Sequence, residues 1–312
     1  AYYTRYRQGG EYPIIARRPA ADAFNPEATE TILLDGDAMG KDKDYFSFGG
    51  IDTSPDHKLV AYSVDTQGSE FYKIHIQDIE TGAETAAVID NAYGSFEWSA
   101  NGQAIVWVHR DENARPDAVY QRNLATGEDT LLYEEKDPGF FVGIDKSASE
   151  EVIFINASGH TTSEIHWFKA NELDPTLHTV APRQTDNEYS VVHWDGQFYI
   201  STNLDGAVDF KIMKAPMDAT SRDQWEEVIP HRPGTLLLGM QPQKDYLARM
   251  ERENGLPRIV VRARADGAEH AISFDEAAYD LGLDSGYDFN TPILRFDYAS
   301  PTTPDQVIDY DL

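Results

Sequence analysis

The sequence predicts an all-β fold made of β-propeller blades, each a four-stranded antiparallel sheet. Three observations predict it. Ile51 to Asp65 (IDTSPDHKLVAYSVD) and Phe96 to Arg110 (FEWSANGQAIVWVHR) repeat each other 45 residues apart. Ser54 matches Ser99, Tyr62 matches Trp107, and the turn at 78–82 (DIETG) matches 123–127 (NLATG). A repeat of short strands and turns at roughly 40–50 residues has the length of one blade. The chain also reads as seven clusters of short strand-like runs, and no long amphipathic helix interrupts them.

The first cluster covers about residues 2–34, and the second and third are the repeat pair at about 45–90 and 95–134. The fourth runs over about 140–181, the fifth 189–229, the sixth 236–273 and the seventh 277–312. Many runs alternate apolar and polar residues, the period of a half-buried strand. In YKIHIQDI (72–79), Tyr72, Ile74 and Ile76 share one face. Gly82, Gly102, Gly127, Gly196 and Gly255 supply turns between strands, and Pro55, Pro233 and Pro257 sit at strand edges or entries. Short helical candidates at 169–174 and 218–226 read as loop insertions, and 276–291 is the longest weakly patterned segment. A blade has two apolar faces and cannot bury them alone, so blades stack around a channel.

Composition narrows the function. The chain has 312 residues, 41% of them hydrophobic, enough for a packed core. Its formal charge of −28 repels phosphate backbones, so no nucleic-acid partner is expected. The acidity either keeps a solvated surface soluble or attracts basic peptides. There is no cysteine, hence no disulfide and no thiolate metal site, which fits a cytoplasmic protein. No run of about 18 apolar residues is present to span a membrane. A first run that already reads as a strand (AYYTRYR) and a last that does too (QVIDYDL) suggest a piece excised from a longer protein.

Candidate chemistry is sparse. No Gly-x-Ser-x-Gly elbow exists to expose a nucleophilic serine, so no catalytic residue is expected in this chain. None of the nine histidines forms an HExxH or similar pair, and His75, His109 and His166 lie in predicted strands as packing or hydrogen-bonding residues. DGDAMGKDKD (35–44) has the look of a calcium loop, but Phe46 stands where the loop needs its glutamate. Neither a metal nor a cofactor is expected. Asp65 and Glu70 flank the turn TQGS, either capping it locally or offering a contact to a neighbouring domain. In HRPG (231–234) and RENGLP (252–257), Arg252 is placed to meet an acid across a blade or domain interface, a pair worth of order 0–1 kcal/mol at a surface. A propeller with its own catalytic site needs acids or histidines converging from several blades.

Longer stretches carry a resemblance. YYTRYRQGGEYPIIARR (2–18), LLDGDAMG (33–40), SPDHKLVAYSVDTQGSEFYKIHIQDIETG (54–82) and LLYEEKDPGFFVGI (131–144) are four of them. NEYSVVHWDGQFYISTN (187–203), WEEVIPHRPGTLLLG (225–239), RENGLPRIVVR (252–262) and RFDYASPTTPDQVIDYDL (295–312) complete the set. In order and coverage they resemble the N-terminal propeller region of the oligopeptidase B (protease II) group, within the prolyl oligopeptidase family of serine peptidases. The resemblance implies a seven-bladed β-propeller, matching the seven clusters, as a single domain over 1–312. It implies a C-terminal α/β-hydrolase domain after residue 312, carrying the serine, aspartate and histidine and the acids that select Arg or Lys. The propeller then covers the active site, excludes folded proteins and admits short basic peptides. By motif neighbourhood, Glu70 in GSEFY is the position implied for an interdomain contact. The alternative is a stand-alone propeller acting as a binding module.

Overall fold

The computed structural model describes residues 1–219, 221–283 and 288–312. Among these residues the strands form six sheets built of antiparallel hairpins. The chain divides into two compact units, Ala1–Lys136 with Val142–Ile144, and Asp137–Phe141 with Asp145–Leu312.

In the first unit, β1 (Tyr2–Arg5), β2 (Ile14–Arg17) and β3 (Thr31–Asp35) make a three-stranded sheet. A seven-stranded sheet follows in chain order. Its strands are β4 (Ser47–Thr53), β5 (Leu59–Asp65), β6 (Tyr72–Asp78), β7 (Ile89–Trp98), β8 (Ala104–Arg110), β9 (Pro116–Asn123) and β10 (Asp129–Glu134). The 45-residue repeat is visible in the register. Ile51 faces Tyr62 across β4–β5, and Phe96 faces Trp107 across β7–β8. Ser54 Oγ accepts the Leu59 N–H at 2.9 Å, as Ser99 Oγ accepts that of Ala104 at 2.9 Å. The matching turns close alike, with Gly82 N donating to Asp78 O and Gly127 N to Asn123 O, both at 2.8 Å. Both glycines sit at positive φ, 68° and 74°, which an L side chain rarely adopts.

The second and third clusters thus share one sheet, which differs from separate blades. The reason is β7, ten residues long. Ile89 and Ala92 pair with β6, Ala92 and then Phe96 to Trp98 pair with β8, and the β8 register breaks between Ala92 and Phe96. Gly94 lies in that break at φ 116°, and a Cβ there would come within 3.1 Å of the Tyr72 ring. Ser63 Oγ fastens the bend, donating to Gly94 O and accepting from Gly50 N, each at 2.7 Å.

Further along the chain, β11 (Phe141–Lys146), β12 (Val152–Ser158), β13 (Ser163–Lys169) and β14 (His178–Ala181) form a four-stranded sheet. So do β15 (Tyr189–Trp194), β16 (Gln197–Thr202), β17 (Lys211–Pro216) and β18 (Glu226–Ile229). A third such sheet holds β19 (Thr235–Gln243), β20 (Tyr246–Glu253), β21 (Leu256–Ala263) and β22 (Glu269–Ala271). The last, β23 (Asp280–Leu283), β24 (Ile293–Ala299) and β25 (Gln306–Asp311), has three strands.

Strand alternation explains the stacking. On β16, Phe198 and Ile200 pack toward Phe154, Ile165 and Trp167, while Tyr199 packs the other way toward Trp194, Ile212 and Leu247. On β5, Val60, Tyr62 and Val64 pack with Leu34 and Phe46, while Ala61 joins Ile74, Ile76 and Trp98. Each inner strand is therefore buried on both faces, and burial is worth roughly 25 cal/mol per Å² of apolar area.

The all-β, propeller-type assignment stands, but the hydrogen bonding gives six sheets rather than seven four-stranded ones. The two end sheets have three strands, and β7 joins two clusters. Residues 169–174 form a strand end and turn, not a helix. Of 218–226, Arg222–Gln224 is one turn of 3-10 helix, and position 220 lies outside the described residues. Positions 284–287 of the weakly patterned segment also lie outside them. The short helix Gly36–Gly40 was not expected.

Candidate functional site

Within the second unit, the first strands of three successive sheets, β11, β15 and β19, line a cavity of about 560 Å³. Gly239 of β19 leaves room, since a methyl group placed on it would meet no atom within 4 Å. Phe154, Val191, Val192, Met240, Met250 and Phe289 give it apolar walls, and Asp145, His193 and Gln241 bring polar groups from the three strands.

His193 is the most buried of these groups, 2% exposed. A serine relay fixes it. The Val152 N–H donates to Ser147 Oγ at 3.0 Å, Ser147 and Ser149 are 3.0 Å apart, and Ser149 Oγ lies 2.8 Å from His193 Nδ1. The other ring nitrogen, Nε2, is buried without a partner. Burial pushes the His193 pKa down against the opposing charge of Glu151, so the ring is neutral. A serine beside a histidine can act as nucleophile and base when a third group orients the base. Here the outer nitrogen has no such group, and the pair holds a neutral ring in place.

Asp145 is open to solvent yet surrounded by protein inside the cavity. That desolvation raises its pKa, against one backbone N–H from Lys146. Gln241 is also buried, with Oε1 unpartnered.

The sequence-derived candidates fall elsewhere. Asp65 caps its turn, accepting from the N–H groups of Gln67 (2.8 Å), Gly68 (3.1 Å) and Glu70 (2.7 Å), which is the local reading of the pair. Glu70 has a different role. It sits at φ 60°, its side chain 72% exposed, and pairs with Arg110 at 3.2 Å. Arg110 is 8% exposed and lies over the Tyr93 ring, 4.7 Å from its centre.

The acids of 35–44 serve the backbone. Asp35 caps the short helix through the Ala38 N–H and pairs with Arg7, and Asp37 accepts from Glu11 N and Tyr12 N. Among the described residues, no group of three or more histidines and acids is arranged to hold a metal. His75 stacks on Tyr62 and meets Glu84 at 2.9 Å, His109 meets Asp117 at 2.8 Å, and His166 contacts Thr179 and Glu164. Arg252 is exposed and meets no acid across a blade among the described residues. Instead Arg232 of HRPG, Arg249 and Arg258 converge on buried Glu251. The strand alternation could have found it: Arg249 and Glu251 share a face of β20, two residues apart. Nothing in the sequence signals the cavity, because its residues come from several separate sheets.

Known proteins place this architecture. The model of the prolyl oligopeptidase N-terminal β-propeller domain matches residues 1–312. Dipeptidyl aminopeptidase BI of Pseudoxanthomonas mexicana is 35% identical over 97% of the chain. Protease 2 of Moraxella lacunata is 34% identical over 97%. The chain spans 44% of the length of each of these relatives. Among solved structures, oligopeptidase B from Leishmania major superimposes with a TM-score of 0.93 at 26% identity, covering 99% of this chain and 45% of that one. Oligopeptidase B from Trypanosoma brucei, closed with covalently bound antipain, gives 0.92 at 26% identity, with the same two coverages of 99% and 45%. Matched by the family model from end to end, the chain belongs to the N-terminal β-propeller domain family of the prolyl oligopeptidases.

Proposed function

We propose that this chain is the gating propeller of an oligopeptidase B-type serine peptidase that cleaves short peptides after Arg or Lys. One observation carries the reading: the fold follows oligopeptidase B over 99% of the chain at a TM-score of 0.93. In this reading residues 1–312 form one domain of seven blades. The seven-stranded sheet counts as two of them, β4 to the first half of β7 and the second half of β7 to β10. A hydrolase domain of the same polypeptide supplies the nucleophile, and the propeller limits which substrates reach it. Glu70, exposed beside Arg110, is a contact across the domain boundary.

The test is size selection. The full-length enzyme should cleave short Arg- or Lys-containing peptides and leave the same bond intact inside a folded protein. Equal cleavage of both would refute a gating role. A second reading has its own support in the 35% identity to a dipeptidyl aminopeptidase. In that case the whole enzyme removes N-terminal dipeptides, and blocking the substrate's amino terminus abolishes turnover.

A further inference from the structure

The cavity of the second unit holds chemistry that a lid does not need. Asp145 keeps a carboxylate there, and no ion pair among the described residues reaches it. Lys146, which also lines the cavity, already has an interaction of its own. Gln241, 8% exposed, adds an amide oxygen with no donor. The neutral His193 supplies no positive charge. A buried amide oxygen without a donor is costly unless something fills the cavity, since buried polar groups in native proteins are nearly always paired, and the Asp145 carboxylate lines the same cavity within reach of solvent.

The walls say what kind of group fits. Phe154 and Phe289 present aromatic rings, and Met240 and Met250 present flexible, polarisable thioethers. Such walls pack well on an alkyl stem, and ring faces attract a cation. We propose that this cavity is a subsite for one guanidinium or ammonium group, such as an arginine or lysine side chain carries, with Asp145 and Gln241 accepting its N–H groups and the rings and methionines packing its stem. The proposal deepens the peptidase reading, and rests on it only in naming a basic peptide as the source of the cation. The binding chemistry belongs to the cavity alone.

The test is calorimetric titration of the 312-residue chain with N-acetyl-arginine amide and with N-acetyl-citrulline amide, its uncharged isostere. One saturable site for the arginine probe is expected, with the citrulline probe at least about tenfold weaker, the size of one charge-assisted hydrogen bond. Asp145→Asn should weaken arginine binding by about tenfold or more. Asp223→Asn, which removes the same charge from a distant 3-10 turn, should leave it unchanged, separating the site from the general pull of a chain of charge −28. A measurement on the unaltered chain guards against a misfolded variant: the arginine probe should shift the His193 imidazole resonances in step with the heat.

Equal binding of the two probes overturns the proposal. So does an unsaturable isotherm, an unaffected Asp145→Asn protein, or a titration that leaves His193 unmoved. Peptidase activity of the full-length protein is assayed separately. Its loss with binding intact would sink the peptidase reading alone, and failed binding with activity intact would sink this subsite alone.

Discussion

Arg249 Nε donates to the carboxylate of Glu251 at 2.7 Å, inside the second unit, where Glu251 is only 2% exposed. Arg258 reaches the other carboxylate oxygen at 2.8 Å, Arg232 joins the first, and Arg249 also forks onto Glu269 at 2.8 and 2.9 Å. Burial disfavours the charged carboxylate, but the bonds and charge of Arg249, then Arg232 and Arg258, outweigh it and hold the pKa below its ordinary value. Removing one member of such a group strands the others, a loss of about 3–5 kcal/mol. Glu251→Ala should lower the unfolding free energy of the chain by that amount in urea titration. A loss below about 1 kcal/mol would mean the cluster behaves like an exposed pair.

Ser63 Oγ joins β4 to β7 through Gly50 N and Gly94 O. Ser63 is fully buried, so Ser63→Ala leaves two backbone groups without partners, at about 1–3 kcal/mol each. Denaturant midpoints of the variant and the unaltered chain measure it. The amide exchange of Gly50 should quicken more than that of strands away from the bend.

Glu164 gives a pH dependence. A hydrogen bond with His166 and others with Arg183 outweigh desolvation and bring its pKa from 4.5 to about 2. A carboxyl with a depressed folded pKa stabilises the fold above its unfolded pKa, and that stability fades as pH falls toward the folded value. Glu164→Gln should therefore be less stable than the unaltered chain at pH 6, on the order of 2–3 kcal/mol. The gap should close between pH 4.5 and about 2, a window that unfolding curves across pH will map.

Two phenylalanines make a contrast. Phe198 is 0% exposed, between the aromatic rings of Phe154 and Trp167, whereas Phe24 is 96% exposed. Phe198→Ala should cost about 3–5 kcal/mol. Phe24→Ala should stay within about 0.5 kcal/mol of the unaltered chain in the same denaturation experiment.

Glu70→Ala separates local from interdomain roles. Its carboxylate is exposed, so the chain alone should lose no more than about 1 kcal/mol. If Glu70 contacts a second domain, the full-length variant should show altered peptide turnover while the chain's own stability is kept. Unchanged kinetics would leave Glu70 as a partner of Arg110 only.

Much of the fold was legible because strands write a period of two and turns need particular residues. The repeat of Ile51–Tyr62 by Phe96–Trp107 foretold the pairing register, and Gly82 and Gly127 marked the matching turns. The continuous β7 was not legible, since the break at Gly94 depends on Ser63 and Tyr72 approaching from elsewhere in the sheet. The local role of Asp65 could be read from a turn sequence. The grouping of Asp145, His193 and Gln241 could not, because residues about 48 apart meet only when sheets stack. The strand alternation turns Arg252 outward, while Arg249 and Glu251 turn in.

The most direct measurement is cleavage of a short Arg- or Lys-containing peptide by the full-length gene product beside this 312-residue chain. Turnover by the full-length protein, blocked by a serine-directed inhibitor and missing from the purified chain, is the predicted result. Inhibitor-sensitive turnover by the chain alone, or none by the full-length protein, would contradict the account.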